Sequence, residues 1–499
     1  MAFGTIYLPD FYELCAMLSL RSLAKETMIY GMSYSLGRLL NFLLVTVYLT
    51  RVFTEAKAYF SIYSELYFLI ALFLGILSLR METGYFRFAS DTAHRSKIYP
   101  LASQLVAIAC MVFLGLVYGG IDWIESILQY PNLRSLIYLA AWITVLDVIS
   151  ALPFAHIRFE KKPLRYAWIK LSGLLINIIL VLIFLNLLGG DPGEKLYWVL
   201  LANLLGSLWV VVCLAPEMKA SFIQADWTLA LKLLKYIGPL VVVTFSFIVI
   251  QYGATSILKY FLPGQIIENL EASSQYNAAM RLAVIMNLFV TAFNYAAEPF
   301  FFRSAKHENA PHQFARLSLY FLITCSMIYL VTCLFVSDLA LLLDKNFRSE
   351  LHLVSILLLA NIFMGLYSNI SSWYKLSDQN HMMALVSISG MLLMILLNIL
   401  LIPAYGNEAA AYANLTAYVF ICGMAYYQGQ KKFPIPYQLV QMTAWLISAV
   451  LLVYGLPLLY GFIQLDPLTS SFISAMVILL YGYAAYVWVY RKDRLTNVR

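Results

Sequence analysis

Stretches of about twenty apolar residues, each closed by a charge or a turn cluster, recur along the whole chain, and they restrict the fold more than any motif. A helix that satisfies its own backbone hydrogen bonds needs about 20 such residues to cross a hydrocarbon layer of roughly 30 Å. By that ruler the 499 residues hold fourteen candidate spans: 28 to 50, 58 to 80, 99 to 119, 134 to 155, 166 to 188, 196 to 216, 234 to 258, 276 to 299, 314 to 336, 350 to 373, 382 to 402, 408 to 427, 438 to 462 and 469 to 490. Composition agrees, with 62% apolar and 12% charged residues where a soluble domain carries about 25% charged. The chain reads as an all-α polytopic membrane protein of about 14 transmembrane helices, and a soluble globular fold is excluded.

The breaks carry turn chemistry, as in Gly189-Gly190-Asp191-Pro192-Gly193, Pro263-Gly264, Pro403 with Gly406-Asn407, Pro434 with Pro436, and Asp466-Pro467. Six cysteines are scattered without a C-x-x-C pair, and six histidines lie in or near loops without ligand spacing. Neither a disulfide framework nor a metal site is indicated. No glycine-rich phosphate loop is present, so ATP is not the direct energy source and no cofactor is expected. A net charge of +7 could suggest nucleic acid, but the Lys and Arg form no basic stripe. The first apolar run follows Lys25-Glu26 and is trailed by Arg51 rather than by a small-residue cleavage site, so it reads as a retained helix.

The basic residues orient the helices. With the N-terminus in the cytoplasm, 24 of the 33 Lys and Arg fall on that side, among them Arg80, Arg87, Arg158, Lys161, Lys162 and Arg165. Seven fall on the other: Arg51, Lys57, Arg134, Lys195, Lys259, Lys345 and Arg348. Arg38 and Arg281 fall inside spans. The bias places both termini of a multi-pass protein in the cytoplasm.

An internal repeat divides the chain. Glu82-Thr83-Gly84-Tyr85-Phe86-Arg87 at the end of the second span is echoed by Glu298-Pro299-Phe300-Phe301-Phe302-Arg303 at the end of the eighth. Asn177-Ile178-Ile179-Leu180 returns as Asn398-Ile399-Leu400-Leu401, and Ala202-Asn203-Leu204 as Ala413-Asn414-Leu415. Each echo lands on the span of corresponding rank. A six-helix unit used twice puts both copies in one orientation, related by a pseudo-two-fold axis along the membrane normal with a cavity between them, as alternating access requires. The organisation is a cytoplasmic segment (1–27), an N-lobe (28–216), a linker (217–233), a C-lobe (234–427), two appended helices (428–490) and a tail (491–499).

A charge near the centre of a membrane helix costs roughly 2.5 to 3.5 kcal/mol on insertion scales and needs a partner or a task. Arg38 has Gly31, Tyr34, Ser35 and Asn41 as helical neighbours, a polar stripe that should face the cavity. At 1.5 Å per residue, Arg38 lies about 18 Å and Asp147 about 20 Å below the outer ends of their spans, while Glu65 and Arg281 lie about 10 and 8 Å deep. An Arg38–Asp147 pair is therefore geometrically open. The alternative is that Arg38 and Arg281, with Asn41 and Tyr34, hold an anionic head group, for which the planar guanidinium suits phosphate oxygens. Asp147, Glu65 and Glu298 are candidates for coupling to a proton or sodium ion or for buried ion pairs. Asn287, Thr291, Asn294 and Glu298 form a second stripe turned away from Arg281, and Asn361, Gly365, Ser368 and Ser372 form a face read as small-residue packing.

Several strings look familiar together and in order: LAKETMIYG (23 to 31) with GRLLNFLLV (37 to 45), METGYFRFA (81 to 89), QYNAAMRLAVIMNLF (275 to 289), YAAEPFFF (295 to 302), HLVSILLLANIFMGLY (352 to 367) and SSWYKLSD (371 to 378). From about Leu23 to Pro436 the chain resembles the polysaccharide-biosynthesis flippases, the lipid-linked oligosaccharide exporters of the multidrug/oligosaccharidyl-lipid/polysaccharide superfamily. The resemblance implies a fourteen-helix protein of the bacterial inner (plasma) membrane and transport of undecaprenyl-pyrophosphate-linked glycan from the cytoplasmic to the periplasmic leaflet, for O-antigen, lipopolysaccharide or other surface polysaccharide. It implies membrane lipids, a glycan polymerase and glycosyltransferases as partners, with no enzymatic activity. A cation-coupled multidrug-type exporter of the same superfamily is the second reading. The chain departs from the family at Gly253-Ala254-Thr255-Ser256, where relatives often carry an acid–Arg pair, and at Arg281, where Lys is usual. Residues 1 to 16 precede the family start, which makes Met17 a second candidate initiator.

Overall fold

The computed structural model describes residues 31, 33, 35–89, 95–130, 134–218, 226–304, 309–377 and 379–497, with side chains at 295, 296, 298–304 and 489–497 outside the description. Among the described residues the chain is helical and strand-free. Thirteen helices are long and apolar enough to cross a membrane: α1 (Ser35–Val52), α2 (Lys57–Ala89), α3 (Arg95–Gly119), α4 (Arg134–Phe159), α5 (Pro163–Leu187), α6 (Pro192–Leu214), α7 (Trp227–Tyr252), α8 (Ile266–Asn294), α9 (Ala310–Leu334), α10 (Leu353–Leu376), α11 (Asn380–Lys432), α12 (Leu439–Ile463) and α13 (Pro467–Trp488). The expected count is one higher because α11 holds two of the expected spans. Its 53 residues break at Gly406, whose φ of 57° is left-handed, three residues after Pro403. Proline cannot donate to the preceding turn and glycine alone takes that φ without cost, so the helix breaks there into two.

The helix boundaries follow local chemistry. Gly189 and Gly190 take φ of 63° and 104° to end α5. Asp191 then caps α6 reciprocally with Glu194: its carboxylate accepts the Glu194 N–H at 2.8 Å, and the Glu194 carboxylate accepts the Asp191 N–H. Asp226 caps α7 by accepting the Leu229 N–H at 3.2 Å.

Helix partners repeat by rank. In the first half α2 packs on α4 and α4 on α6; in the second, α8 packs on α10 and α10 on α11. The halves meet chiefly where α2 lies against α7 and α8. The last two helices attach to the outside of α9 and expose long rows of apolar residues, including Leu458, Phe462, Leu468 and Leu479. Within the first half α5 and α6 touch backbone to backbone, a Cβ on Gly206 standing 2.9 Å from the Gly173 carbonyl oxygen. Because a carbonyl on a packed helix cannot step aside, Gly206→Ala is expected to cost about 1–3 kcal/mol by overpacking. A thermal unfolding shift in detergent measures it.

Candidate functional site

Between the halves lie two adjoining chambers that share Tyr252, Arg281 and Val284. The larger, of about 290 Å³, is bordered by Arg38, Asn41 and Phe42 of α1, Lys170 of α5, and Arg281 and Asn287 of α8. The smaller, of about 180 Å³, takes Ser64, Tyr67 and Phe68 from α2 and Thr255 and Asn277 from the second half. No carboxylate borders either chamber among the described residues.

Of the expected residues, Arg38, Arg281 and Asn41 are brought together at this cavity. Tyr34 lies outside the described residues, as does the side chain of Glu298. Arg38 and Asp147 are level by residue count, yet they meet different groups. Arg38 Nη1 donates to Thr291 Oγ1 at 2.8 Å, joining α1 to α8 across the interface. Asp147 accepts from Ser207 Oγ at 2.7 Å within the first half. Thr291 belongs to the stripe that seemed turned away from Arg281. Its stripe-mate Asn287 borders the larger chamber together with Arg281, whereas Thr291 meets the lining through Arg38. Asn361 and Gly365 pack as expected: the Asn361 amide donates to the Ala283 carbonyl at 3.0 Å, and a Cβ at Gly365 would meet Phe321 and Val290.

Two cations are placed differently from the sequence reading. Lys170, counted with the cations of the charge-rich side, sits about two turns inside α5 and borders the larger chamber. Lys259, counted among the loops of the charge-poor face, is fully buried, because the helix resumes after Gly253 as a short segment, Ala254–Phe261. Its Nζ lies 2.9 Å from both carboxylate oxygens of Glu65 and donates to the Leu128 carbonyl at 3.1 Å. The Tyr130 hydroxyl donates to Glu65 Oε2 at 2.5 Å, and Lys259 Nζ also stands 4.7 Å from the Tyr130 ring centre. Glu65 thus serves a buried pair bridging the two halves, and its partner is Lys259 rather than its depth-mate Arg281. A registry device of this kind costs desolvation and is worth its place where geometry must be unique.

Further contacts join the halves on the same face. Arg51 donates to the Leu341 and Leu342 carbonyls, Thr54 to Asp344 at 2.5 Å, and the Phe60 and Phe347 rings lie 5.0 Å apart. Burial opposes ionisation of Asp344, but hydrogen bonds from Thr54 and the Asn346 N–H prevail and hold its carboxyl below the ordinary range. On the opposite, charge-rich face, Gly84 lies against Leu233 and Ile237, and the Arg87 guanidinium stands 4.3 Å from the Tyr236 ring centre. The chambers are therefore bounded by contacts between the halves on both sides.

Arg281 is held by neutral groups. Its Nη2 lies 3.5 Å from Ser64 Oγ and its Cζ 5.7 Å from the Tyr63 ring centre. α1 also contains a π-helical turn, Leu44–Leu49, shortly after Arg38 and Asn41, an irregularity common beside functional sites.

This arrangement of helices has solved counterparts. A lipid II flippase, MurJ, in an inward closed conformation superposes with a TM-score of 0.68 over 93% of this chain and 99% of that one, at 13% identity. The chain shares this fold. A multidrug resistance MATE family transporter of the MOP superfamily, inward-facing, superposes with a TM-score of 0.62 over 82% of this chain and 96% of that one, at 12% identity. The Vibrio cholerae MATE transporter VcmN gives 0.56 over 82% and 96%, at 17% identity. No family model and no curated protein matches the sequence. This shared fold accounts for the doubled helix partnerships.

Proposed function

We propose that the protein is a flippase that moves an undecaprenyl-pyrophosphate-linked oligosaccharide between leaflets by alternating access, supplying O-antigen or another surface polysaccharide. One observation carries this reading: Arg38, Lys170 and Arg281 border a single interlobe chamber whose described lining holds no carboxylate. A diphosphate needs such a place, since fixed cations replace its water while charge-assisted hydrogen bonds orient it. Asn41 and Asn287 add neutral donors. The prenyl chain stays in lipid, and the N-lobe (28–216) and C-lobe (234–427) rock about the chamber. The charge-rich face is cytoplasmic, with both termini there and the protein in the inner membrane. The Glu65–Lys259 pair then closes the periplasmic side, and a glycan polymerase and glycosyltransferases are the expected partners. Coupling to a proton or sodium ion falls to Asp147, which does not line the chambers but lies within electrostatic reach of Lys170 and Tyr67, which do.

The second reading, a multidrug-type cation exporter, is favoured by the MATE likeness of the fold but calls for acids in the chamber. Deleting the gene is expected to trap glycan-loaded carrier in the cytoplasmic leaflet. The wild-type gene should clear it, whereas absence of accumulation overturns the reading.

A further inference from the structure

Helix α2 has two lining faces. Ser64, Tyr67, Phe68 and Ala71 border the interlobe chamber, while Leu66, Leu69, Ile70 and Phe73 border a separate cavity of about 200 Å³ on the other side. Each set follows the i, i+3, i+4, i+7 spacing of one helical face. The second cavity is enclosed by α2, α3, α4 and the short helix Ile121–Leu128. Thr144 is its one polar lining residue, and that hydroxyl is already spent on the Ala140 carbonyl at 2.8 Å. A polar ligand would find no partner there, and water would lose its hydrogen bonds.

The cavity opens outward where Trp123 and Ile127 are exposed, 70% and 43% respectively. Both belong to the short helix Ile121–Leu128, which follows α3. At the rim, Arg134 donates to Asp122 and Glu125, each at 2.5 Å. A tryptophan at the mouth and a charged cluster of one Arg and two carboxylates just outside it describe the level of a membrane interface.

We propose that this cavity is a binding site for one acyl chain of a phospholipid from the leaflet at the charge-poor face. An acyl chain entering from surrounding lipid meets an apolar wall along its length and leaves its head group among Asp122, Glu125 and Arg134. A prenyl chain whose diphosphate occupies the central chamber is kept out by α2 itself. The site also touches the junction of the halves. The Leu128 carbonyl receives Lys259, and the Ile127 carbonyl receives the Tyr260 hydroxyl. Both residues line the cavity, so a chain that fills it braces the segment on which Lys259 and Tyr260 dock.

The test counts retained lipid on the detergent-purified full chain by native mass spectrometry. Wild type is expected to keep one phospholipid that Ala141→Phe, which fills the cavity, does not. Equal retention by the two proteins overturns the proposal. Should Ala141→Phe not fold, the fluorescence difference between wild type and Trp123→Phe in bilayers containing phosphatidylcholine brominated in mid-chain supplies the answer. Quenching of the Trp123 component by at least twofold supports the site, and an unquenched component overturns it. Added undecaprenyl phosphate is expected to leave that quenching unchanged; relief of it would assign the cavity to a prenyl chain and overturn the acyl assignment.

Discussion

Lys259→Met is expected to destabilise the protein by about 3–5 kcal/mol, because it leaves the Glu65 carboxylate buried without its counter-ion. Both members are almost wholly inaccessible, with side-chain exposures of 0% and 2%. Water cannot enter to compensate, and the Tyr130 hydroxyl alone supplies one hydrogen bond where Lys259 and Tyr130 together now supply three. Glu65→Gln should cost less, since the amide keeps an acceptor for Tyr130. Glu65→Leu combined with Lys259→Met should recover much of the loss, as exchange of a whole buried pair for apolar side chains is often neutral. The double variant also separates stability from gating. If the pair closes one side of the transporter, the double variant should be folded yet admit a membrane-impermeant thiol reagent from the charge-poor face to a cysteine placed at Asn277, which borders the smaller chamber. Thermal unfolding and labelling measure the two effects, and a Lys259→Met variant as stable as wild type would show that the pair is not fully desolvated.

Lys259 also shows where sequence reasoning ran out. The length of the apolar runs located the spans because the bilayer acts on every helix alike, while the repeat was read from echoed strings such as Glu82–Arg87 and Glu298–Arg303. The break at Gly253 ends the apolar count of the seventh span at 258, so Lys259 looks like the first loop residue. Nothing local announces that the helix resumes to Phe261 and turns the amine inward. The signal lay in Glu65 instead. An acid seven residues inside a span requires a partner, and depth alone selected Arg281, which the structure seats against Tyr63 and Ser64. Lys170 was hidden differently, its position near the charge-rich end of α5 making it one more topogenic cation. Arg38 and Arg281 were legible because no loop was near enough to claim them. Residue counts give depth along a helix but not azimuth between helices, and for this reason Arg38 and Asp147 were level without being partners.

Azimuth decides the anion chamber as well, and the strongest test of function is removal of its cations one at a time. Hydrogen bonds to charged groups contribute about 1.5–3 kcal/mol each, so Arg38→Ala and Arg281→Ala should each weaken binding of undecaprenyl pyrophosphate by roughly ten- to a hundredfold. The two differ in what else they disturb. Arg38 ties α1 to α8 through Thr291, so its removal also loosens the interface, and Thr291→Val separates that contribution by breaking the contact while keeping the guanidinium. Arg281 bridges both chambers and rests on a ring and a hydroxyl, so little structural energy depends on it and its loss should appear almost wholly in affinity. Lys170→Ala, at the exposed end of the chamber, should cost least, because water screens a cation there. Arg281→Lys keeps charge without the planar fork and should recover binding only in part. Isothermal titration with the purified protein, read beside complementation of the deletion strain, gives both affinity and transport. Full rescue by Arg38→Ala and Arg281→Ala together would remove the diphosphate from this chamber, whereas graded losses in the order Arg281, Arg38, Lys170 would place its negative charge nearest the residue that both chambers share.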